Sequence, residues 1–184
     1  MSQHTVAVLV GSLRKDSATR KVAKAIAALA PKSLTFRFVE IGALPHFNQD
    51  DEAAPPAEWV AYRDQIRTTD AVLFATPEYN RSVPGVLKNA IDVGSRPYGS
   101  SVFDGKPAAV VSVSPGAIGG FGANHHLRQS LAFLNMPTLQ QPEAYIGGAF
   151  ALFDDKGELI NETTTDFLRA FGQTFADWID NHTA

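Results

Sequence analysis

The hydrophobic positions of the chain fall into two alternating patterns. Short apolar runs rich in valine and isoleucine have the length of buried strands, and apolar residues between these runs recur at the spacing of an amphipathic helix. The predicted strands are residues 5–10, 34–41, 71–75 and 107–113, and residues 136–145 include a fifth. Pro142 interrupts the last of them. The alternation predicts βαβ units and a parallel sheet that is covered by helices on both faces.

Five helices are predicted from the helical segments. The first begins near Ser17, and the third spans residues 84–94 with its proline in the first turn. The stripes of the others are Trp59, Tyr62 and Ile66, then Leu127, Leu131 and Leu134, and finally Phe167, Phe171, Phe175 and Trp178. Residues 42–56 contain three prolines and predict a long loop, whereas residues 154–157 predict a hairpin-like turn. We therefore expect residues 1–184 to form a single α/β domain, a doubly wound three-layer αβα sandwich.

Charge and cysteine content exclude several classes of protein. The chain has 184 residues, with 16 Lys and Arg against 19 Asp and Glu, so its net charge of −3 lacks the basic excess typical of nucleic-acid binding. The absence of cysteine excludes disulfides, thiolate metal sites and a cysteine nucleophile. The N-terminal residues have no basic signal-peptide segment, and no apolar run approaches the length of a membrane span. We expect a soluble, cytoplasmic protein.

The chemistry of the chain is concentrated in loops that follow the first, third and fourth predicted strands. Parallel strands end at one edge of a sheet, and this edge carries the ligand crevice in open α/β folds. The first loop, residues 11–20, matches neither the dinucleotide fingerprint nor a Walker A loop. The loop offers three hydroxyls at the start of a helix, from Ser12, Ser17 and Thr19, and Arg20 lies in the first turn of that helix. This combination favours binding of a terminal monophosphate. The alternative is that Ser17 is only a helix cap.

The second and third loops offer a surface for a flat ring. In residues 76–85, Pro77 and Tyr79 present apolar faces, and the backbone N–H groups of residues 78–80 can bind a polar ring edge. The alternative is a proline-bounded turn in which Asn80 caps the next helix. In residues 112–122, several glycines allow a ligand to approach the backbone closely.

These loops closely resemble those of the NAD(P)H-dependent FMN reductase family of flavodoxin-like proteins, particularly its quinone, chromate and azo-compound reductase branch. The match is specific in residues 11–17 and 76–92, is looser at 119–120 and 126–129, and covers the chain to about Glu143. The resemblance implies a five-stranded parallel sheet in the flavodoxin-like order 2-1-3-4-5. It also implies tightly but non-covalently bound FMN, NAD(P)H as co-substrate, and a homodimer or homotetramer.

The loop chemistry and the resemblance together assign residues to the cofactor site. The predicted FMN-binding residues are Ser12, Arg14, Ser17, Thr19, Arg20, Pro77, Glu78, Tyr79, Asn80, Arg81, Ser114 and Gly116. The family often has asparagine where this chain has Thr19, which keeps a hydroxyl donor but lacks the amide. Arg81 and Arg96 are also candidates for binding the donor phosphates or an anionic acceptor, the alternative being that both are surface arginines.

The chemistry that the resemblance implies belongs to the flavin. Hydride passes from NAD(P)H to the flavin and then to quinones, chromate, ferric complexes, azo compounds or free flavin, so no catalytic side chain is required. With one crevice, we expect a ping-pong mechanism. No metal site is expected, because the adjacent His125 and His126 point in different directions on a helix. A flavodoxin-type electron carrier without NAD(P)H turnover and a ligand-sensing protein with a vestigial site are the alternatives.

Overall fold

A computed structural model describes residues 2–183, which form a five-stranded parallel sheet with five helices. The strands are His4–Val10 (β1), Leu34–Val39 (β2), Ala71–Thr76 (β3), Ala108–Val113 (β4) and Ala144–Ile146 (β5). The helices are Ala18–Leu29 (α1), Ala57–Arg67 (α2), Gly85–Gly94 (α3), Phe121–Phe133 (α4) and Glu162–Asp180 (α5). The strand order is β2-β1-β3-β4-β5, and every pairing is parallel. The predicted flavodoxin-like fold is confirmed.

Two apolar cores lie on opposite faces of this sheet. Side chains alternate between the faces along a strand, so Val6 and Val8 belong to one core while Ala7 and Leu9 belong to the other. The first core lies beneath α1 and α5, and the second lies beneath α2, α3 and α4. Strands β3 and β4 are buried at every residue because helices cover both of their faces. This double burial explains why the sequences of β3 and β4 show no polar face.

The last strand is shorter than the segment that was predicted to include it. Residues 136–143 contact the sheet around Thr138, where the N–H of Leu139 donates to the carbonyl of Ala108, and the chain then leaves the sheet. Pro142 lies in this departing segment, and its lack of an N–H group excludes it from the hydrogen-bond ladder. Residues 144–146 form β5, which begins within the predicted segment 136–145 and after the interrupting Pro142.

The segment after β5 contains the predicted hairpin-like turn. The Oδ1 of Asp154 accepts hydrogen bonds from the N–H groups of Lys156 and Glu158, and Gly157 adopts a positive φ of 83°. A bridge between Phe153 and Leu159 closes the turn. The prediction for residues 154–157 is confirmed. Within residues 2–183, none of the helices combines the length and apolarity that crossing a bilayer demands.

Candidate functional site

A cleft of about 250 Å³ lies at the carboxyl edge of the sheet, where the loops after β1, β3 and β4 meet. In the order 2-1-3-4-5 the strand sequence reverses between β1 and β3, and ligands bind at such switch points. Its lining residues are Ser12, Arg14, Ser17, Ala18, Thr19, Pro77, Glu78, Tyr79, Val113, Ser114, Pro115, Ala149 and Phe150. The predicted convergence of the three loops is thus found in the structure.

The first loop provides donors for an anion. Among residues 2–183, no acceptor binds the backbone N–H groups of residues 12–19. Ser17 caps α1, since its Oγ accepts from the N–H of Arg20 at 3.1 Å, and it also lines the cleft. The cap and the site are therefore compatible roles. The first turn of α1 contains no acidic side chain, so nothing on the helix itself offsets the positive end of its dipole.

The basic residues of this segment are not equivalent. The guanidinium of Arg20 forms a two-pronged pair with Glu40, at 2.9 and 3.2 Å, and Arg20 is not among the cleft-lining residues. The Nζ of Lys21 lies 2.6 Å from Asp16 and holds the pKa of that carboxyl below its usual range. Arg14 lines the cleft and has no ion-pair partner within residues 2–183. The cation directed to the cleft is therefore Arg14, and the structure engages Arg20 elsewhere.

The second loop folds into a tight two-residue turn. Tyr79 and Ser82 exchange backbone hydrogen bonds of 3.0 Å in both directions, and Asn80 and Arg81 have φ values of 50° and 65°. Two successive positive φ angles define a type I′ turn. The Tyr79 N–H, which was predicted to bind a ring edge, donates to the Ser82 carbonyl in this structure. The N–H groups of Glu78 and Asn80 have no acceptor among residues 2–183.

Asn80 is a turn residue and not a helix cap. Helix α3 begins at Gly85 with Pro84 at its N-cap position, and no side chain forms a capping hydrogen bond there. The capping alternative for Asn80 is therefore wrong. Arg81 is exposed, and its Nη1 lies 3.5 Å from the Oε1 of Glu78 rather than in the cleft.

The carboxylate of Glu78 fastens the second loop to α4. Its Oε2 accepts from the N–H of Ala123 at 3.0 Å, in the first turn of that helix. A Cβ on Gly122 would lie 3.0 Å from this oxygen and 2.8 Å from the carbonyl oxygen of Arg81. Only glycine at position 122 allows this close approach of loop and helix. Glu78 thus places its backbone in the cleft wall and its side chain against α4.

In the third loop, the predicted residues Ser114 and Gly116 have different positions. Ser114 lines the cleft, and its Oγ accepts from the N–H of Gly116 at 3.1 Å. Gly116 does not line the cleft. The steric need for glycine lies at Gly119, which has a φ of 65° and where a Cβ would lie 2.7 Å from the backbone carbon of Tyr145.

Sequence reasoning missed the contribution of the segment after β5. Ala149 and Phe150 line the cleft, although only the loops after the first, third and fourth strands were expected there. Strand β5 is parallel to the others, so its carboxyl end reaches the same edge. The predicted parallel sheet already contained this signal.

A larger groove of about 960 Å³ lies between α3 and α4 and is separate from the three loops. Arg96 and His126 line it, together with Tyr98 and Phe133, which are 87% and 84% exposed. The guanidinium carbon of Arg96 lies 5.7 Å from the centre of the Phe47 ring. Arg96 therefore lies outside the smaller cleft. Residues 2–183 contain no cluster of three side chains suited to hold a metal ion.

Comparison with known proteins identifies the family. Residues 4–151 match the family model described as NADPH-dependent FMN reductase. The chain is 66% identical over 181 residues to a quinone reductase of Pseudomonas putida, with 97% of each chain covered. It is 45% identical over 174 residues to a 2-hydroxy-1,4-benzoquinone reductase of a Burkholderia species, with 95% of each covered.

A solved structure supports the same assignment. The flavoenzyme FerB, an NAD(P)H:(acceptor) oxidoreductase of Paracoccus denitrificans, superposes with a TM-score of 0.92 at 45% identity, covering 98% of this chain and 100% of that one. The family match covers the strands whose loops form the cleft. The chain therefore belongs to the NADPH-dependent FMN reductase family of oxidoreductases.

Proposed function

We propose that the chain binds FMN tightly and non-covalently in the cleft and uses it to pass electrons from NAD(P)H to quinones. The observation that carries this proposal is the set of unengaged backbone N–H groups in residues 12–19. Five residues of this run line the same cleft as Pro77 and Tyr79, namely Ser12, Arg14, Ser17, Ala18 and Thr19. A phosphate suits the first feature, and a flat ring suits the second. The donor set of the cleft therefore fits FMN.

The residues divide into a phosphate end and a ring end. We assign the phosphate to Ser12, Arg14, Ser17 and Thr19, whose hydroxyls and guanidinium add to the N–H groups of the loop. We assign the ring to Pro77, Glu78, Tyr79, Asn80 and Ser114. Arg20 and Gly116 act on the site through their contacts with neighbouring residues, and we assign the exposed Arg81 to binding the donor phosphates or an anionic acceptor.

The chain needs no catalytic acid or base for this reaction. Bound FMN would supply the redox chemistry by accepting a hydride from NAD(P)H and giving it to an acceptor. The N–H groups of Glu78 and Asn80 stabilise negative charge at the polar edge of a ring held against Pro77. The chain holds the ring by its edges and leaves one face accessible to both substrates.

Quinones are the acceptors best supported by the relatives. The 66% and 45% identical proteins are both named for quinone reduction. Because an accessible flavin face gives electrons to many oxidants, chromate, ferric complexes, azo compounds and free flavin are proposed as further acceptors. Donor and acceptor use one cleft in turn, which gives a ping-pong mechanism.

Visible absorption and turnover of the purified protein test the proposal. We expect flavin absorption bands that survive dialysis but separate from the protein on denaturation, and steady NAD(P)H oxidation with benzoquinone. Parallel lines in double-reciprocal plots of rate against both substrates support the shared cleft, whereas intersecting lines contradict it. A yellow protein without NAD(P)H turnover would instead be an electron carrier. A protein that never binds flavin would overturn the proposal.

A further inference from the structure

The exposed phenyl ring of Phe150 lies beside Arg14, the cleft-lining arginine that forms no ion pair within residues 2–183. Phe150 is 60% exposed and lines the cleft together with Arg14. The guanidinium carbon of Arg14 lies 5.9 Å from the centre of the Phe150 ring, within the range of a cation–π contact. This contact joins the first loop to the segment after β5.

The backbone around Phe150 holds its ring at the cleft. The N–H of Ala149 donates to the carbonyl of Ser114 at 3.2 Å, and a Cβ on Gly147 would lie 2.6 Å from the carbonyl oxygen of Ala117. The segment is therefore pressed against the third loop. Ala149 and Leu152 are buried in the core, whereas Phe150 faces outward. Core packing consequently does not account for the aromatic ring at position 150.

The charges around the first loop leave Arg14 available for an anion. Arg20 is paired with Glu40, and Lys21 is paired with Asp16. Lys21 also lies 5.8 Å from the ring centre of Phe153, so a second cation–π contact of the same type exists away from the cleft-lining residues. Of these three basic residues, only Arg14 lines the cleft. Arg14 helps to lower the pKa of the Asp16 carboxyl but forms no ion pair within residues 2–183, and its guanidinium lies over the Phe150 ring.

We infer that Phe150 is a positioning residue for phosphate recognition. Its ring face holds the Arg14 guanidinium at the phosphate end of the cleft, and this preorganisation makes the chain prefer phosphorylated flavin to riboflavin. The inference rests on the proposed binding of FMN. It extends that function by naming a specificity determinant outside the three predicted loops.

The test compares the dissociation constants of FMN and riboflavin, measured by flavin fluorescence on the full chain freed of flavin. Phe150→Leu is expected to raise the constant for FMN roughly two- to fivefold and to leave that for riboflavin unchanged. Phe150→Tyr keeps an aromatic face and retains the FMN affinity. Phe153→Leu, which removes the corresponding ring beside Lys21, is the matched control and changes neither constant.

A second variant shows whether Phe150 acts through Arg14. Arg14→Gln removes the cation, and adding Phe150→Leu to it is expected to change the FMN constant no further. Equal weakening of FMN and riboflavin by Phe150→Leu, additive effects of the two substitutions, or an unchanged FMN constant would each overturn the inference. If the wild-type chain binds no FMN, the proposed function itself fails, so the two failures are distinguishable.

Discussion

Arg81 adopts a backbone conformation that is costly for its residue type. Its φ of 65° is the second of two positive values in the type I′ turn, where glycine is the favoured residue. Asparagine tolerates a positive φ at position 80 because its short side chain can form local hydrogen bonds, whereas the long arginine side chain at position 81 has no such compensation. The contact of Arg81 with Glu78 is 3.5 Å long and largely exposed, so it offsets little of the strain. The strained residue belongs to the loop that forms the cleft wall.

Replacing Arg81 with glycine relieves this strain. We expect Arg81→Gly to raise the free energy of unfolding by up to about 1 kcal/mol, because relief of the left-handed conformation exceeds the added flexibility of the unfolded chain. Urea denaturation of protein freed of flavin measures the change. Asn80→Gly is the matched control and gives a smaller gain, since asparagine already tolerates a positive φ. A lower stability of Arg81→Gly would contradict the argument.

Several contacts of individual site residues could not be predicted from the sequence. Ser12, Ser17 and Thr19 were expected at the cleft and line it, because parallel strands end at one edge of the sheet and a sequence pattern reveals those strands. The pairing of Arg20 with Glu40 joins α1 to the end of β2, and no local pattern specifies it. The engaged N–H of Tyr79 depends on a type I′ turn that contains arginine, which turn statistics do not favour.

At the scale of elements, the link between the second loop and α4 organises the cleft wall. The Glu78 carboxylate accepts a hydrogen bond from the first turn of α4, where a negative charge is also favoured by the helix dipole. Its side chain is 13% exposed, so water replaces this acceptor poorly. Loss of the carboxylate would leave a partly buried N–H without an acceptor and free the loop to move.

Substitutions at Glu78 separate charge from geometry. We expect Glu78→Ala to lower the free energy of unfolding by about 1–3 kcal/mol and to weaken FMN binding, because the loop loses its attachment. Glu78→Gln keeps an acceptor oxygen for the Ala123 N–H, so it retains most of the stability and most of the FMN affinity. Asp166→Ala, which removes an exposed carboxylate paired with Arg169 on α5, is the control and costs well under about 1 kcal/mol. Equal effects of the alanine variants at positions 78 and 166 would show that the attachment is unimportant.

The elements themselves were largely predictable because burial dictates their pattern. Strands β3 and β4 are apolar at nearly every position, and the stripe of α5 places Phe171 and Phe175 in the core. Strand β5 was located only to within residues 136–145, because a strand of three residues gives too short a pattern to place more closely. Phe150 was missed although the predicted segment ended at residue 145, because only the loops after the first, third and fourth strands were expected to form the cleft.

At the scale of the whole molecule, the larger groove points to a second copy of the chain. The resemblance to the family implies dimers, and Tyr98 and Phe133 lie in the groove with more than four-fifths of their surface exposed. Exposed aromatic residues on a groove are typical of protein interfaces, where tyrosine and phenylalanine are enriched. Helix α3 follows the second loop and ends beside the groove, so a dimer would place Arg96 between the two chains. We therefore propose a homodimer formed through α3 and α4, with pairing of dimers into tetramers.

Light scattering, which measures the mass of the assembly, tests the proposed dimer. We expect the wild-type mass to be two or four times the 19.8 kDa of one chain, and Phe133→Asp to reduce it, because a charge in the core of a two-fold interface is buried twice. Ile160→Asp is the matched control, since Ile160 is 61% exposed outside the groove, and it leaves the mass unchanged. A wild-type mass of one chain would contradict the dimer.

The role of Arg96 is tested by kinetics as well as by mass. Arg96→Ala is expected to raise KM for NAD(P)H or an anionic acceptor but not for a neutral quinone, with FMN still bound. A reduced mass of the Arg96→Ala variant would instead assign Arg96 to the interface. If both the mass and the KM values stay unchanged, Arg96 is a surface residue without a role in donor binding.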